Sequence, residues 1–313
     1  MCIRETRDRM QPFKIHILGC GSALPSAFHN PSSQIVEIRG KLFMVDCGEG
    51  TQLQVRRSRL NFSKLYAVFI SHLHGDHVLG LIGMLSTFGL NGRTAPLRVY
   101  APREYEELFE MELKMFCSNL DYDIIFCPVD TRKQEVVYED RSLTIETIPL
   151  HHRMPCSGFL FREKAGERHL RRDMADFYGV PVSQYNNIKS GMDWTSPEGE
   201  TVPNSMLTSA PDPQRSYAYC SDTRYMKSLA ETVKGINLLY HEATYTEDYK
   251  EMAEKYLHST AREAALTARD AGVERLLLGH FSKRYRDETP LLEEARAVFP
   301  NTLLAKEGLI IVV

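Results

Sequence analysis

No apolar run in the sequence approaches the ~20 residues that a membrane-crossing helix requires, and the opening stretch, MCIRETRDRMQPF, has no apolar core of a secretory signal. Both absences lead to the expectation of a cytoplasmic protein with no membrane partner. Cysteine is unpaired in its pattern: the seven, Cys2, Cys20, Cys47, Cys117, Cys127, Cys156 and Cys220, are odd in number, scattered, and never in a C-x-x-C pair. A disulfide framework or a thiolate zinc site is therefore not expected, and each is read as a small buried apolar residue. Charge excess is lacking too. A net charge of −3 gives no global attraction to nucleic acid or to an anionic membrane, so a polyanion must be held by a local patch. The best patch is 162–172, where Arg162, Lys164, Arg168, Arg171 and Arg172 outnumber Glu163 and Glu167; its plain reading is a solvated helix face. No solenoid-length repeat or low-complexity tract is present.

What is present is enough apolar residue, 43% of 313, to bury a sizeable core in one large domain or two smaller ones. FKIHILGC (13–20), QIVEI (34–38) and KLFMVDCG (41–48) read as strands separated by Gly, Pro, Asn and Ser. LYAVFI (65–70) is apolar without alternation, which suits a strand buried on both faces. Helical spacing follows at 78–90 and 103–116, then strand-like segments at 97–101, 123–129, 135–139, 143–150 and 157–161. Between Glu163 and about Arg215 every candidate element is interrupted, and the stretch is read as an inserted, partly ordered arm. Core-like strands return at 216–222, 236–243, 274–280 and 308–313, interleaved with helical stretches at 247–256, 260–271 and 288–298. Two halves of strands followed by helices predict packed sheets with helices outside.

Chemistry concentrates just past the apolar strand 65–70. His72 and His74, one residue apart, point the same way on a strand end or tight turn. Asp76 and His77 complete four donors within six residues, in an H-x-H-x-D-H cluster of imidazole and carboxylate that suits divalent zinc. Further donors stand at the ends of other strands: His151 and His152 after LTIETIPL, Asp222 in SYAYCSD, and His280 after ERLLLG. A carboxylate such as Asp222 can bridge two ions, and a dinuclear centre clamps both the attacking and the leaving oxygen of a phosphoryl transfer. HEAT at 241–244 and HST at 258–260 offer His258 as a general acid oriented by Glu242, against the plainer reading of a loop histidine beside a helix N-cap at Ser259 or Thr260.

The ordered set GCGSALP (19–25), NPSSQ (30–34), DCGEGTQLQ (46–54), FISHLHGDH (69–77), GLIGML (80–85), HRMPCSGF (152–159), SDTRY (221–225), HEATY (241–245), HST (258–260) and GHFSKRY (279–285) resembles the ribonuclease Z family of tRNA 3′-end endonucleases over nearly the whole chain. The resemblance implies a metallo-β-lactamase αββα sandwich spanning 1–313 as a single domain, with an exosite-like substrate-binding arm inserted at 163–215. It implies one zinc held by His72, His74, His152 and Asp222 and a second by Asp76, His77, His280 and the shared Asp222, two ions per subunit, with manganese or iron as alternatives. His152 rather than His151 is implied because the family's histidine stands six before a glycine, here Gly158. Asp76 is also the implied proton acceptor and His258 the implied donor to the departing oxygen. The implied reaction removes the 3′ trailer of precursor tRNA, leaving a 3′-hydroxyl on the tRNA and a 5′-phosphate on the trailer, in a homodimer whose arm reaches the partner's substrate. One departure stands out: GVPVSQYNNIKSG (179–191) lacks the Gly-Pro pair of the family's arm, which leaves the usual grip on tRNA without its motif. Arg168, Arg171 and Arg172 are the candidate phosphate contacts. A phosphodiesterase of other RNA or small diesters, and a non-catalytic metal-stabilised RNA-binding protein, are the alternatives.

Overall fold

In the computed structural model, which describes residues 12–313, the apolar segments of the first half form a seven-stranded sheet. Cys2 and most of the opening stretch without a signal core lie outside the described residues. The sheet contains β1 (Phe13–Gly19), β2 (Ser33–Ile38), β3 (Lys41–Val45), β4 (Leu65–Phe69), β5 (Leu97–Pro102), β6 (Ile124–Val129) and the C-terminal β18 (Ile310–Val312), in the order β18-β1-β2-β3-β4-β5-β6. Pairing is antiparallel from β18 to β3 and parallel from β3 to β6. A second seven-stranded sheet holds β7 (Val136–Glu139), β8 (Leu143–Leu150), β9 (Cys156–Glu163), β14 (Ser216–Cys220), β15 (Leu238–Glu242), β16 (Arg275–Gly279) and β17 (Thr302–Leu304), in the order β17-β16-β15-β14-β9-β8-β7. Here β14 to β17 run parallel.

Strand alternation sorts the side chains into layers. On β3, Leu42 and Met44 join a core with Val55, Leu81, Met84, Leu85, Phe88 and Phe109, from the helices α1 (Thr51–Arg57), α3 (Leu81–Leu90) and α4 (Glu106–Phe116). Phe43 faces the other way, toward Phe161 of the second sheet at 6.2 Å between ring centroids, and Phe69 meets Phe159 edge-on at 5.2 Å. On the far side, α10 (Ala261–Ala271) lies against β15 and β16, with α11 (Thr289–Arg296) beside it. The four layers are therefore α, β, β, α, as the interleaving of strands and helices predicts. α10 starts at Thr260 with a reciprocal capping box to Glu263, worth about 1 kcal/mol. The remaining helices of this body are α2 (Gly75–Val78), α8 (Leu229–Thr232) and α9 (Lys250–Tyr256).

Residues 163–214, with 140–143, form a second compact unit. Two short strand pairs, β10 (His169–Leu170) with β13 (Thr208–Ser209) and β11 (Trp194–Thr195) with β12 (Thr201–Val202), frame helices α5 (Arg172–Phe177), α6 (Tyr185–Lys189) and α7 (Asn204–Leu207). They enclose a small core of Ala175, Val180, Ile188, Trp194, Val202 and Leu207. The reading of 162–172 as one helix face is corrected: β9 runs to Glu163, β10 covers 169–170, and helix begins only at Arg172. Backbone pairing competes for these residues, with Arg168 N–H donating to the Lys189 carbonyl at 3.1 Å and Arg171 N–H to that of Leu207 at 2.8 Å.

Candidate metal centre

Strand ends deliver the donors. β3 leads to Asp46, β4 to His72, His74, Asp76 and His77, β8 to His152, β14 to Asp222, and β16 to His280. Two donor groups result: His72, His74, His152 and Asp222 form one, and Asp76, His77 and His280 the other, with the ligand atoms within each lying no more than 4.8 Å apart. Asp222 faces both. Its Oδ2 is 3.5 Å from His72 Nε2 and 3.6 Å from His152 Nε2, while its Oδ1 is 3.2 Å from His77 Nε2 and 3.0 Å from His280 Nε2. Asp76 Oδ2 stands 3.5 Å from both His77 Nε2 and His280 Nε2, held by the Ala23 N–H at 2.7 Å. His74 turns its Nδ1 inward, 3.0 Å from His72 Nε2 and 3.2 Å from His152 Nε2.

The outward nitrogens of four imidazoles are each committed. His152 Nδ1 lies 3.0 Å from the Leu257 carbonyl, which can only accept, so Nδ1 carries the hydrogen and Nε2 keeps its lone pair. His77 Nδ1 donates to Asp46 Oδ2 at 2.7 Å. The Ser71 hydroxyl donates to Asp46 Oδ2 at 2.9 Å and so accepts from His72 Nδ1 at 3.0 Å. Likewise the Thr244 hydroxyl donates to Glu242 Oε2 at 2.6 Å and accepts from His280 Nδ1 at 3.0 Å. Four Nε2 lone pairs thus converge on two carboxylates, and among the described residues no lysine or arginine forms an ion pair with Asp76 or Asp222. Such a donor set fits divalent cations, with outer partners fixing each tautomer as metal-bound histidines require.

Electrostatics agree with the donor chemistry. Burial, then neighbouring imidazoles, hold His72 and His74 below their ordinary 6.5, in the neutral form that ligates. Burial works against charge at Asp222 and Asp76, yet the imidazoles around them keep both below the usual carboxylate range. Burial also disfavours a charged His77, but Asp222, Asp46 and Asp76 outweigh it and raise its pKa, marking where a positive charge is most welcome.

Glu242, fully buried, accepts from His258 Nδ1 at 2.8 Å, Thr223 N–H at 2.7 Å, the Thr244 hydroxyl and Ser259 N–H at 3.2 Å. His258 lines the same cavity, of about 560 Å³, as His74, Asp76, His152, Asp222 and His280. Burial opposes its charged form, but Glu242 prevails and raises its pKa to about 9. His151 is exposed and absent from both donor groups, whereas Thr260, not Ser259, caps the following helix. Arg168 and Arg172 line a cavity of the second unit with Lys189 and Tyr185, while Arg171 pairs with Asp173 at 3.7 Å. Residue type and spacing do not single out Asp46, Thr244 or the Leu257 carbonyl. Asp46 and Thr244 do sit inside conspicuous motifs, DCGEGTQ and HEAT, but a carbonyl leaves no trace in residue identity.

Residues 13–170 match the family described as anti-Pycsar protein Apyc1, and residues 194–281 that described as the beta-lactamase superfamily domain. The chain is 56% identical over 302 residues to ribonuclease Z of Bacteroides fragilis, spanning 96% of this chain and 99% of that one. Among solved structures, human tRNase Z, short form, aligns with a TM-score of 0.68 at 22% identity, covering 95% of this chain and 98% of the other. The metallo-beta-lactamase fold protein YhfI from Bacillus subtilis gives 0.67 at 20% identity, covering 96% and 100%. At such identities the likeness carries the fold, and the αββα sandwich is that of the metallo-β-lactamases.

Proposed function

The chain belongs to the ribonuclease Z family, and from that premise we infer that it is a metal-dependent endoribonuclease cutting the 3′ trailer from precursor tRNA. The observation that carries the site assignment is Asp222, whose two oxygens face two separate imidazole sets. We assign one divalent ion, zinc in the first instance, to His72, His74, His152 and Asp222, and a second to Asp76, His77, His280 and Asp222. Manganese or iron suit the same donors. When bound, such ions lower the pKa of water and neutralise charge on phosphoryl oxygens.

The chain's own groups do the rest. Asp76 Oδ2, anchored by the Ala23 amide at the cavity wall, takes the proton of the attacking water. His258, its Nδ1 tied to Glu242, offers a proton from its free edge to the departing 3′-oxygen, so that the tRNA leaves with a 3′-hydroxyl and the trailer keeps a 5′-phosphate. Glu242 is a positioning residue, since four donors hold it away from substrate. Residues 163–215 are assigned to tRNA binding, with Arg168, Arg171 and Arg172 as phosphate contacts, in a homodimer working in the cytoplasm. No helix of the described residues is long and apolar enough to cross a membrane.

The decisive experiment incubates the protein with a 3′-extended precursor tRNA and with bis-p-nitrophenyl phosphate, with and without chelator, beside Asp76→Ala. Chelator-sensitive cleavage at the tRNA 3′ boundary, lost in Asp76→Ala, is the expected result. Turnover of the small diester alone would overturn the substrate, and cleavage unaffected by chelator would overturn the metal assignment.

A further inference from the structure

Away from the Asp222 cluster, Cys20, His29 and Glu307 bring another three metal-competent atoms within 4.8 Å of one another. Cys20 follows β1 and is fully buried; the His29 and Glu307 side chains are 14% and 15% exposed. Cys20 Sγ stands 3.4 Å from His29 Nδ1, and that nitrogen is 3.0 Å and 3.3 Å from the Glu307 oxygens. With bonds of about 2.3 Å to sulfur and about 2.0–2.1 Å to nitrogen and oxygen, tetrahedral zinc would set S···N near ~3.5 Å and N···O near ~3.4 Å. The observed separations match within a few tenths of an ångström.

The surroundings match as well. His29 Nε2 is 3.0 Å from Glu288 Oε1, so an outer carboxylate can hold the hydrogen on Nε2 and free the Nδ1 lone pair for an ion. Glu307 Oε1 accepts the Asn30 N–H at 2.9 Å, which turns Oε2 inward as a single ligand atom. Besides His29, the thiol reaches only the Ala305 carbonyl, a weak partner at 3.6 Å.

We propose that Cys20, His29 and Glu307 form a structural site for one thiophilic divalent cation, zinc foremost, separate from the centre around Asp222. Binding replaces the Cys20 thiol proton and the proton that His29 Nδ1 otherwise shares with Glu307; both pass to solvent, which also fills the fourth position. The ion ties the loop after β1 to the turn before β18. That loop matters to the catalytic cavity, because Ala23 N–H holds Asp76 and the Cys20 carbonyl accepts Phe281 N–H at 2.9 Å, next to His280.

Cobalt separates the two centres, since neither Asp222 donor group contains sulfur. The full chain produced in cobalt-supplemented medium should show thiolate-to-cobalt charge-transfer absorption in the near ultraviolet, amounting to one thiolate-bound ion per chain. Cys20→Ser should abolish the band and lower bound metal by one equivalent, Asp222→Asn should leave the band intact, and Glu288→Gln should weaken this ion's affinity about 10–100-fold. No charge-transfer band in the wild-type protein at saturating cobalt overturns the proposal, with no variant needed. A full band in Cys20→Ser overturns it equally.

Discussion

Asp46→Asn tests how the metal centre is held without replacing any proposed ligand. Asp46 is fully buried and its carboxylate accepts four donors: Ser71 N–H on Oδ1 at 2.7 Å, and His77 Nδ1, the Ser71 hydroxyl and the Tyr219 hydroxyl on Oδ2, at 2.7, 2.9 and 2.7 Å. An amide of the same shape keeps one oxygen and substitutes an N–H group for the other. If that group takes the Oδ1 position it opposes the Ser71 N–H, leaving a buried donor unsatisfied at about 1–3 kcal/mol. If it takes the Oδ2 position, the two hydroxyls can rotate, but His77 must move its hydrogen to Nε2, the atom facing Asp222 and His280. Either way His77 loses its anionic partner. Loss of an outer carboxylate lowers metal affinity about 10–100-fold, or roughly 1.4–2.7 kcal/mol, and the unfolding midpoint should fall by a comparable free energy. Zinc competition against a chelator of known affinity reads the first effect, urea unfolding followed by circular dichroism the second. A folded Asp46→Asn protein that binds zinc as tightly as wild type would refute the tautomer argument.

His258→Ala should lower the precursor-tRNA rate about 10²–10⁴-fold with metal content unchanged, and Glu242→Gln should follow in the same direction; bis-p-nitrophenyl phosphate, whose leaving group needs no proton, should lose far less. Equal losses on both substrates would remove the proton-donor role. Reversing Arg168, Arg171 and Arg172 to Glu should raise KM for precursor tRNA and flatten its salt dependence while sparing the small diester. Arg93→Met tests the scaffold instead: its guanidinium donates to the carbonyls of Phe62, Leu65, Ala95 and Pro96 at 2.7–3.1 Å, so stability should drop by about 3 kcal/mol in urea titration with kcat unaltered.

The sequence discloses this site wherever the chemistry is local. His72, His74, Asp76 and His77 fall within six residues, and His152, Asp222 and His280 each stand one or two residues past a strand end, so residue type and strand end together mark them. Asp46 and Thr244 occupy similar places, yet they act on imidazoles rather than on an ion, and residue type alone cannot separate a ligand from its anchor. Short elements escape for another reason. α1, at seven residues, and β17, at three, are shorter than the window in which helical or strand period becomes visible. The second unit is the extreme case: Ala175, Val180, Ile188, Trp194, Val202 and Leu207 form a core without any period, because nearly every one comes from a different two- to six-residue element or loop. What reads as a broken pattern is a small core assembled from short helices, short strands and a loop.

Backbone strain ties the centre together in a way that composition does not show. Among the described residues seven non-glycine positions have positive φ: Ala23, Arg39, Asp46, Arg59, Asp222, Leu257 and His280. Five of them serve the metal centre. Asp222 and His280 are proposed ligands, Asp46 anchors His77, the Ala23 amide holds Asp76, and the Leu257 carbonyl holds His152. Asp is among the residues that tolerate the left-handed region, but Leu257, at φ 57°, does not enter it without strain. It closes α9 where glycine is usual, and strain of this kind persists only where the surroundings over-determine it. Asp46, Asp222 and His280 each follow a parallel strand, β3, β14 or β16, and their positive φ breaks the extended path there. A residue continuing the strand would keep its side chain alternating between sheet faces. The left-handed turn instead directs it past the strand end, where the opposing sheet's donors converge. The same conformational step thus serves the centre differently on the two sheets: it places the proposed ligands Asp222 and His280 beyond β14 and β16, and beyond β3 it places Asp46, which anchors His77.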